Sequence, residues 1–429
     1  MNSPIETIGV IKESRPDENR TPLVPEHIEK LKKKYPNLNI LVQPSKNRCF
    51  SDDEYKNRGA EINEDLSNCS IIFGVKEIDT DVLMNNKTYV FFSHTYKLNK
   101  ETLNNAQGTP GMDKKELLKS VLEKKIKLID YENIRDKNSK RYLGFGRFAG
   151  IVGCYNTLNL CLENLKKQPL ARAYRINSYE RLISNLKNLY FPKMNILVTG
   201  DGRVAKGVIE VLKQTNIKEV SKEKFQNDKF DNPVFCNLET KDYVESNLNK
   251  EFDLNHFIKY PKEYKSCALQ YLKEADVFIS AHYWDPTSPK IFNQNDLNKL
   301  NQLKVVGDIT CDVDGSVPTT IRSSTIENPN FYIDKNTFKE TDRKKLAIMA
   351  VDNLPSELPR DSSKEFGDGI ISEVIPYMFN DDDGRILNAT ITSDGSFLQL
   401  PFTYSIITNI DDEHIEFYGS IENLRNSFI

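Results

Sequence analysis

The stretch "NILVTGDGRVAKGVIEVLKQ", Asn195 to Gln214, constrains the fold more than any other part of the chain. An apolar run of strand length leads into Gly200-Asp201-Gly202, and apolar residues then recur at helical spacing. Strand, glycine turn and helix in that order make the phosphate-binding unit of an open α/β sheet. Gly200-x-Gly202-x-x-Ala205 fits its fingerprint, with alanine in the third place. Gly200 permits the tight turn, and Gly202 removes a side chain where a pyrophosphate must approach the backbone. Ala205 allows close helix–strand packing. A helix starting at Arg203 and Val204 directs its first N–H groups at the phosphates. NAD or NADP is the expected cofactor.

The same alternation extends along the chain. Runs of strand length occur at 8–12, 39–43, 70–76, 88–94, 126–132, 276–284 and 304–310. Most are continuously apolar, as strands buried on both faces should be. Helix-like stretches lie between them, at Pro25 to Lys34 and Asp113 to Lys124 for example. The expected fold is α/β, two Rossmann-like domains with mostly parallel sheets flanking a cleft. A length of 429 residues agrees with two cores rather than one. The segment "GFGRFAGIVGCYNTL" (144–158) reads as a long helix crossing from one sheet to the other. The expected division is 1–143 plus 336–429 for the substrate domain and 144–335 for the dinucleotide domain. The run "LAIMAVDNLP" opens the returning segment, and the acidic end, "TNIDDEHIEFYGSIENLRNSFI", is expected to be mobile.

Composition excludes several classes. A net charge of −3 lacks the basic face of a nucleic-acid binder. No apolar run reaches membrane-span length, and the first residues lack the order of a signal peptide, so a cytoplasmic protein is expected. The seven cysteines form no CxxC pair, and the five histidines form no HExxH pair. Neither a disulfide framework nor a metal site is expected.

Chemistry candidates sit at strand ends, where open α/β sheets bind ligands. "FGVKEID" puts Lys76 and Glu77 at the end of one buried run, and "FFSHTYK" puts His94 at the end of the next. A lysine closing an apolar strand faces desolvation, which makes it usable as an acid or base. Asp308 ends "KVVGD", where it would sit by the nicotinamide or by Lys76. In "AHYWDPTSP", Tyr283 and Trp284 either wall the nicotinamide pocket or pack locally. The ribose-binding residue is sought in "NIKEVSKEKF" (216–225). Glu219 there would favour NAD, while Ser221 with Lys222 and Lys224 would tolerate NADP. The sequence leaves the choice open.

Longer motifs carry a resemblance. "IGVIKESRPDENRTPLVPEHI", "GVKE" and "FSH" resemble the alanine dehydrogenase/transhydrogenase superfamily. "LIDYENIRDKNSKRYLGFGRFAGIVG", "GDITCDVDGSVPTTIRSSTIENP" and "VDNLPSELPRDSSKEFGD" resemble the lysine-forming saccharopine dehydrogenases and the lysine–ketoglutarate reductase domain. The resemblance covers essentially the whole chain and implies a stand-alone reductase-type unit, a monomer or small homo-oligomer. It implies the interconversion of saccharopine with lysine and 2-oxoglutarate. In that reaction Lys76 and His94 handle protons, Arg20 and Arg141 hold carboxylates, and Glu77 and Glu132 tune the site and receive ammonium groups. The alternatives are an alanine dehydrogenase-like enzyme, which needs only a small pocket, and a non-catalytic nucleotide sensor. The added arginine and acid of "DYENIRDKNSKRYLGFGR" argue against the first, and intact Lys76 and His94 against the second.

Overall fold

A computed structural model describes residues 7–95, 113–342 and 345–392. The acidic segment 408–429, expected to be mobile, lies outside the described residues.

The first sheet comprises β1 (Thr7–Val10), β2 (Asn39–Val42), β3 (Glu61–Ile62), β4 (Ile71–Phe73), β5 (Thr88–Phe91), β6 (Lys127–Asp130) and the late strand β16 (Thr390–Thr392). The second comprises β7 (Asn195–Thr199), β8 (Lys218–Glu219), β9 (Val234–Leu238), β12 (Val277–Ser280), β13 (Val305–Asp308), β14 (Asn330–Ile333) and β15 (Leu346–Met349). A small antiparallel ribbon pairs β10 (Val244–Ser246) with β11 (Tyr264–Ser266). The orders are β16-β6-β5-β4-β1-β2-β3 and β14-β15-β13-β12-β7-β9-β8. Both sheets are parallel except at one edge strand each, β16 and β14. Their central strands are buried throughout, which explains why they read as unbroken apolar runs.

Each sheet carries apolar cores on both faces. The Pro25–Lys34 helix shows how the local sequence builds one of them. Pro25 sits at the first turn, Ile28 and Leu31 are buried, and Lys32 to Lys34 occupy the last turn, where the helix dipole favours cations. The expected crossing helix spans Gly146–Asn164 and is buried along almost all its length from Phe148 to Leu162, with Asn156 bonded to Glu357. It packs on the Arg203–Leu212 helix at backbone contact. A Cβ at Gly150 would lie 2.0 Å from the Val204 carbonyl oxygen, and one at Gly207 would lie 2.1 Å from that of Arg147. Ala205 is fully buried in the same core, but Gly150 and Gly207 set the helix–helix distance.

The expected division at residue 336 does not match the strand pairing. The run Leu346–Met349 is a strand, but it pairs with β13 and extends the second sheet. The chain returns to the first sheet only afterwards. The Pro359–Glu373 helix contributes Phe366 and Ile370 to that sheet's core, and β16 pairs with β6. A buried apolar strand carries no mark of which sheet it will join.

Candidate active site

The carboxyl edges of the two sheets face each other. On the first, His94 follows β5 with a left-handed backbone (φ 53°), a conformation that costs energy in a non-glycine residue. The bend turns the ring back onto the segment after β4, where Nδ1 lies 2.6 Å from Glu77 Oε1. Glu77 is almost fully buried, and burial alone would raise its pKa. The hydrogen bond and charge of His94, with Lys76 adding to them, instead bring it down to about 2. An ionised Glu77 can only accept, so the proton of the pair sits on Nδ1 and Nε2 is left for chemistry.

Lys76 is half-buried, and among the described residues no hydrogen bond or ion pair engages its Nζ. Its charge acts on Glu18 and Glu77 of the same edge and on Cys311 of the opposite one, which places it between the sheets. Two acids that sequence reasoning missed fix this edge. Glu13 accepts the backbone N–H of Val75 at 2.7 Å and of Lys76 at 2.9 Å, holding the turn that presents Lys76. Burial and the neighbouring Glu18 charge push its pKa up to about 8 against those two bonds. Asp130 accepts from the Ser93 N–H at 3.0 Å, the Ser93 hydroxyl at 2.6 Å and the Glu132 N–H at 2.8 Å, locking the residues beside His94. Each is an acid at the end of an apolar strand or just past it, the signal that found Lys76.

Beyond Asp130, Glu132 is buried and accepts from Arg141 Nη1 at 3.1 Å, while the Arg141 side chain remains 37% exposed. Tyr283, from the opposite edge, stands 81% exposed within electrostatic reach of Arg141, Arg135 and Glu132. Arg20, expected from the resemblance to hold a substrate carboxylate, is engaged within the protein. Its Nε donates to Glu18 at 2.7 Å, its Nη2 to Asn353 at 2.8 Å, and Phe145 covers it at 4.0 Å. It lines a narrow pocket with Glu13, Lys12 and Arg48. Its charge is already balanced by Glu18, so it shapes the edge as half of an ion pair.

The second edge is built from backbone. Gly200 has φ +119°, and a Cβ there would meet the Ala281 carbonyl oxygen at 2.5 Å. Gly202 is different: among the described residues nothing lies within 4 Å of a Cβ placed on it. Its backbone suits any residue, so no protein contact demands glycine there. The open space lies at the start of the Arg203–Leu212 helix, whose N–H groups at Arg203 and Val204 face it. This cradle fits the phosphates of a dinucleotide. Trp284 Nε1 is buried without a hydrogen-bond partner, a donor still to be satisfied beside the exposed Tyr283.

Two expectations are corrected here. Ser221 does not follow the strand next to the fingerprint. β8 pairs with β9, and β9 with β7, so Ser221 stands one strand too far out, capping the Lys222–Asn227 helix. The strand beside the fingerprint is β9: Leu238 at its end accepts from the Gly200 N–H at 2.9 Å, and Glu239 follows, exposed. Asp308 is fully buried, and among the described residues no hydrogen bond or ion pair joins it to Lys76. Its carboxylate accepts from the hydroxyls of Thr310 and Thr320, each at 2.6 Å, and burial pushes its pKa up to about 6. Arg203 keeps its N–H at the turn as expected, while its guanidinium donates to the carbonyls of Arg141 and, at 3.0 Å, Tyr142.

All seven cysteines are free thiols. Among the described residues no cluster of three His, Cys, Asp or Glu side chains is arranged to hold a metal. No helix among them is long and apolar enough to cross a membrane.

Comparison with known proteins agrees with this architecture. The family description "Alanine dehydrogenase/PNT, N-terminal domain" matches residues 9–152, and "Alanine dehydrogenase/PNT, C-terminal domain" matches residues 234–395. An alpha-aminoadipic semialdehyde synthase of Arabidopsis thaliana is 30% identical over 408 residues, covering 84% of this chain and 37% of that protein. The chain thus spans less than half the length of that relative. A saccharopine dehydrogenase [NAD(+), L-lysine-forming] of Yarrowia lipolytica is 24% identical over 400 residues, covering 87% of this chain and 93% of that protein. Among solved structures, an L-alanine dehydrogenase shares the fold with a TM-score of 0.57 at 13% identity, covering 90% of this chain and 95% of that one. Two facing, mostly parallel sheets, a glycine cradle on one edge and matches to both family domains lead to one conclusion: the chain belongs to the alanine dehydrogenase/PNT family.

Proposed function

We propose that this protein interconverts L-saccharopine and L-lysine plus 2-oxoglutarate with a nicotinamide cofactor. The observation that carries the reading is the Arg141–Glu132 pair, standing on the same edge as Lys76 and the His94–Glu77 pair. A substrate with one carboxylate needs one cationic partner. An adduct of lysine and 2-oxoglutarate brings several carboxylates and an amine, and each must be paired when taken out of water. The 24–30% identity to saccharopine dehydrogenase and alpha-aminoadipic semialdehyde synthase supports the same substrates.

The cofactor, when bound, supplies or removes the hydride at the carbon of the new C–N bond. This chain's residues do the rest. His94 Nε2 takes the proton that frees the lysine amine for attack on the ketone. Lys76 gives a proton to the departing hydroxyl, so that water leaves as the C=N bond forms. Glu77 holds the imidazole in the required tautomer. Arg141 pairs with the far carboxylate of the keto acid, and Glu132 faces the lysine ammonium. Gly202, with the N–H groups of Arg203 and Val204, holds the pyrophosphate. Glu239, which follows the strand beside the fingerprint, binds the ribose diol and repels a 2′-phosphate, so NAD(H) is the proposed cofactor.

The test is a nucleotide-oxidation assay on purified protein. Lysine with 2-oxoglutarate should consume NADH faster than NADPH. Turnover with pyruvate and ammonia, and none with lysine and 2-oxoglutarate, would instead mark an amino-acid dehydrogenase of the alanine type. NADH binding with no turnover of either pair would mark a sensor.

A further inference from the structure

Arg203 is a cation at the first position of a helix, where the dipole disfavours positive charge. Among the described residues no carboxylate pairs with it. Its Nη2 spans to two consecutive carbonyls, Arg141 and Tyr142, sixty-two and sixty-one residues earlier in the chain. The loop is laid against it closely. A Cβ on Gly146 would come within 3.2 Å of the Arg203 Cβ, and one on Gly144 within 3.5 Å of its Nη1. The loop so held is the one that carries the Arg141 guanidinium to Glu132, and an isolated antiparallel bridge between Arg135 and Arg141 makes it a stiff unit.

From this geometry we infer that Arg203 is a positioning residue coupling the two half-sites: dinucleotide at the Gly202 cradle fixes the helix start, and the Arg203 strap thereby fixes Arg141 for the keto acid. The helix start and the strap are the same residue, whose N–H faces the phosphates and whose side chain holds the substrate loop. A diphosphate against the helix also offsets the charge that the dipole disfavours, so occupancy stabilises the strapped arrangement. The linkage is reciprocal: whatever factor NADH adds to 2-oxoglutarate affinity, 2-oxoglutarate adds to NADH affinity. This rests on the reading of Arg141 as the keto-acid anchor, and the experiment separates the two.

The test compares wild type with Arg203→Met, which keeps length and removes the donors, and Arg203→Lys, which keeps charge but not the fork. NADH affinity is read by fluorescence titration with and without 2-oxoglutarate. In wild type 2-oxoglutarate should tighten NADH binding by about 5–20-fold, within the usual range of coupling between sites. Arg203→Met should bind NADH alone within about 3-fold of wild type, lose the tightening, and raise the KM for 2-oxoglutarate about 10-fold with a smaller change in kcat. On an Arg141→Ala background the same change should add little, because the strap acts through Arg141. Arg203→Lys should be intermediate. Loss of NADH affinity with coupling retained would overturn the inference and make Arg203 a phosphate ligand.

Amide exchange over residues 139–146 supplies a readout that needs no substrate. NADH should slow it in wild type and not in Arg203→Met. If 2-oxoglutarate proves not to bind but this protection is seen, the strap stands and the substrate reading fails. Equal exchange in both proteins overturns the strap.

Discussion

The two sheet edges that face each other are built on opposite plans. The first is a row of side-chain pairs already made within the protein: the Glu18–Arg20 and Glu132–Arg141 ion pairs and the Glu77–His94 hydrogen bond. The second offers glycines, backbone N–H groups and an unsatisfied indole donor. Charges that must move protons at a desolvated edge need partners that hold tautomer and orientation, so this edge is electrostatically dense. A diphosphate needs only a close, correctly directed backbone, and side chains there would obstruct it. Asp308, a buried acid of the second edge, is enclosed by hydroxyls that turn it into a structural clamp.

This contrast can be broken by substitution. The largest effect should follow from the ion-pair edge. Lys76→Met or His94→Gln should lower kcat by roughly 10²–10⁴-fold while NADH affinity, measured by titration, stays near wild type. Wild-type turnover in both variants would remove the proton-transfer assignment.

The glycine edge should respond in binding or in stability, depending on which glycine is changed. Gly202→Val adds atoms only to open space, so the melting temperature should hold while NADH affinity falls by about two orders of magnitude, the size of one or two lost charged hydrogen bonds at ~1.5–3 kcal/mol each. Gly200→Ala meets the Ala281 carbonyl and a positive φ, so it should lose about 1–3 kcal/mol from backbone strain alone. Calorimetry with cofactor titration distinguishes the two; the same outcome for both glycines would dissolve the distinction between cradle and turn.

A smaller effect is expected at the exposed end of the ion-pair edge. Arg141→Ala should raise the KM for 2-oxoglutarate about 10–150-fold, as one charged hydrogen bond at ~1.5–3 kcal/mol implies, and change any slow turnover of pyruvate little. Equal losses for both keto acids would place Arg141 on the carboxylate they share.

Asp308 should give the smallest kinetic change and a distinctive pH signature. Its folded pKa, about 6, lies above the unfolded value, so the fold favours its protonated form. That contribution is complete below about pH 4 and is lost as pH rises through 6. Asp308→Asn keeps an acceptor for Thr310 and a donor for Thr320. Relative to wild type it should therefore gain about 1–3 kcal/mol in urea melts between pH 4 and 7, with KM values unchanged. A raised KM for 2-oxoglutarate in this variant would return Asp308 to the substrate site.

The sequence by itself determined the local units. Buried strands need unbroken apolar runs, so β1, β2, β4, β5, β6, β7, β12 and β13 were legible, as were the Pro25–Lys34 helix and the glycine turn. Lys76, Glu77 and His94 were legible as strand-end residues, because parallel sheets gather those ends on one edge. Strand order and side-chain direction were settled only by the tertiary structure. Insertion of β9 between β7 and β8 put Glu239, not Ser221, at the end of the strand beside the fingerprint. Pairing of β15 with β13 kept 346–349 in the second sheet. Asp308 stands where the sequence puts it, yet its side chain meets the hydroxyls of Thr310 and Thr320, and the Arg203 guanidinium meets carbonyls sixty-one and sixty-two residues back. Periodicity and turn chemistry are local properties that a sequence writes down residue by residue. Which strand lies alongside another, and which acceptor captures a charged side chain, depends on groups tens to hundreds of residues away that meet only when the chain has folded.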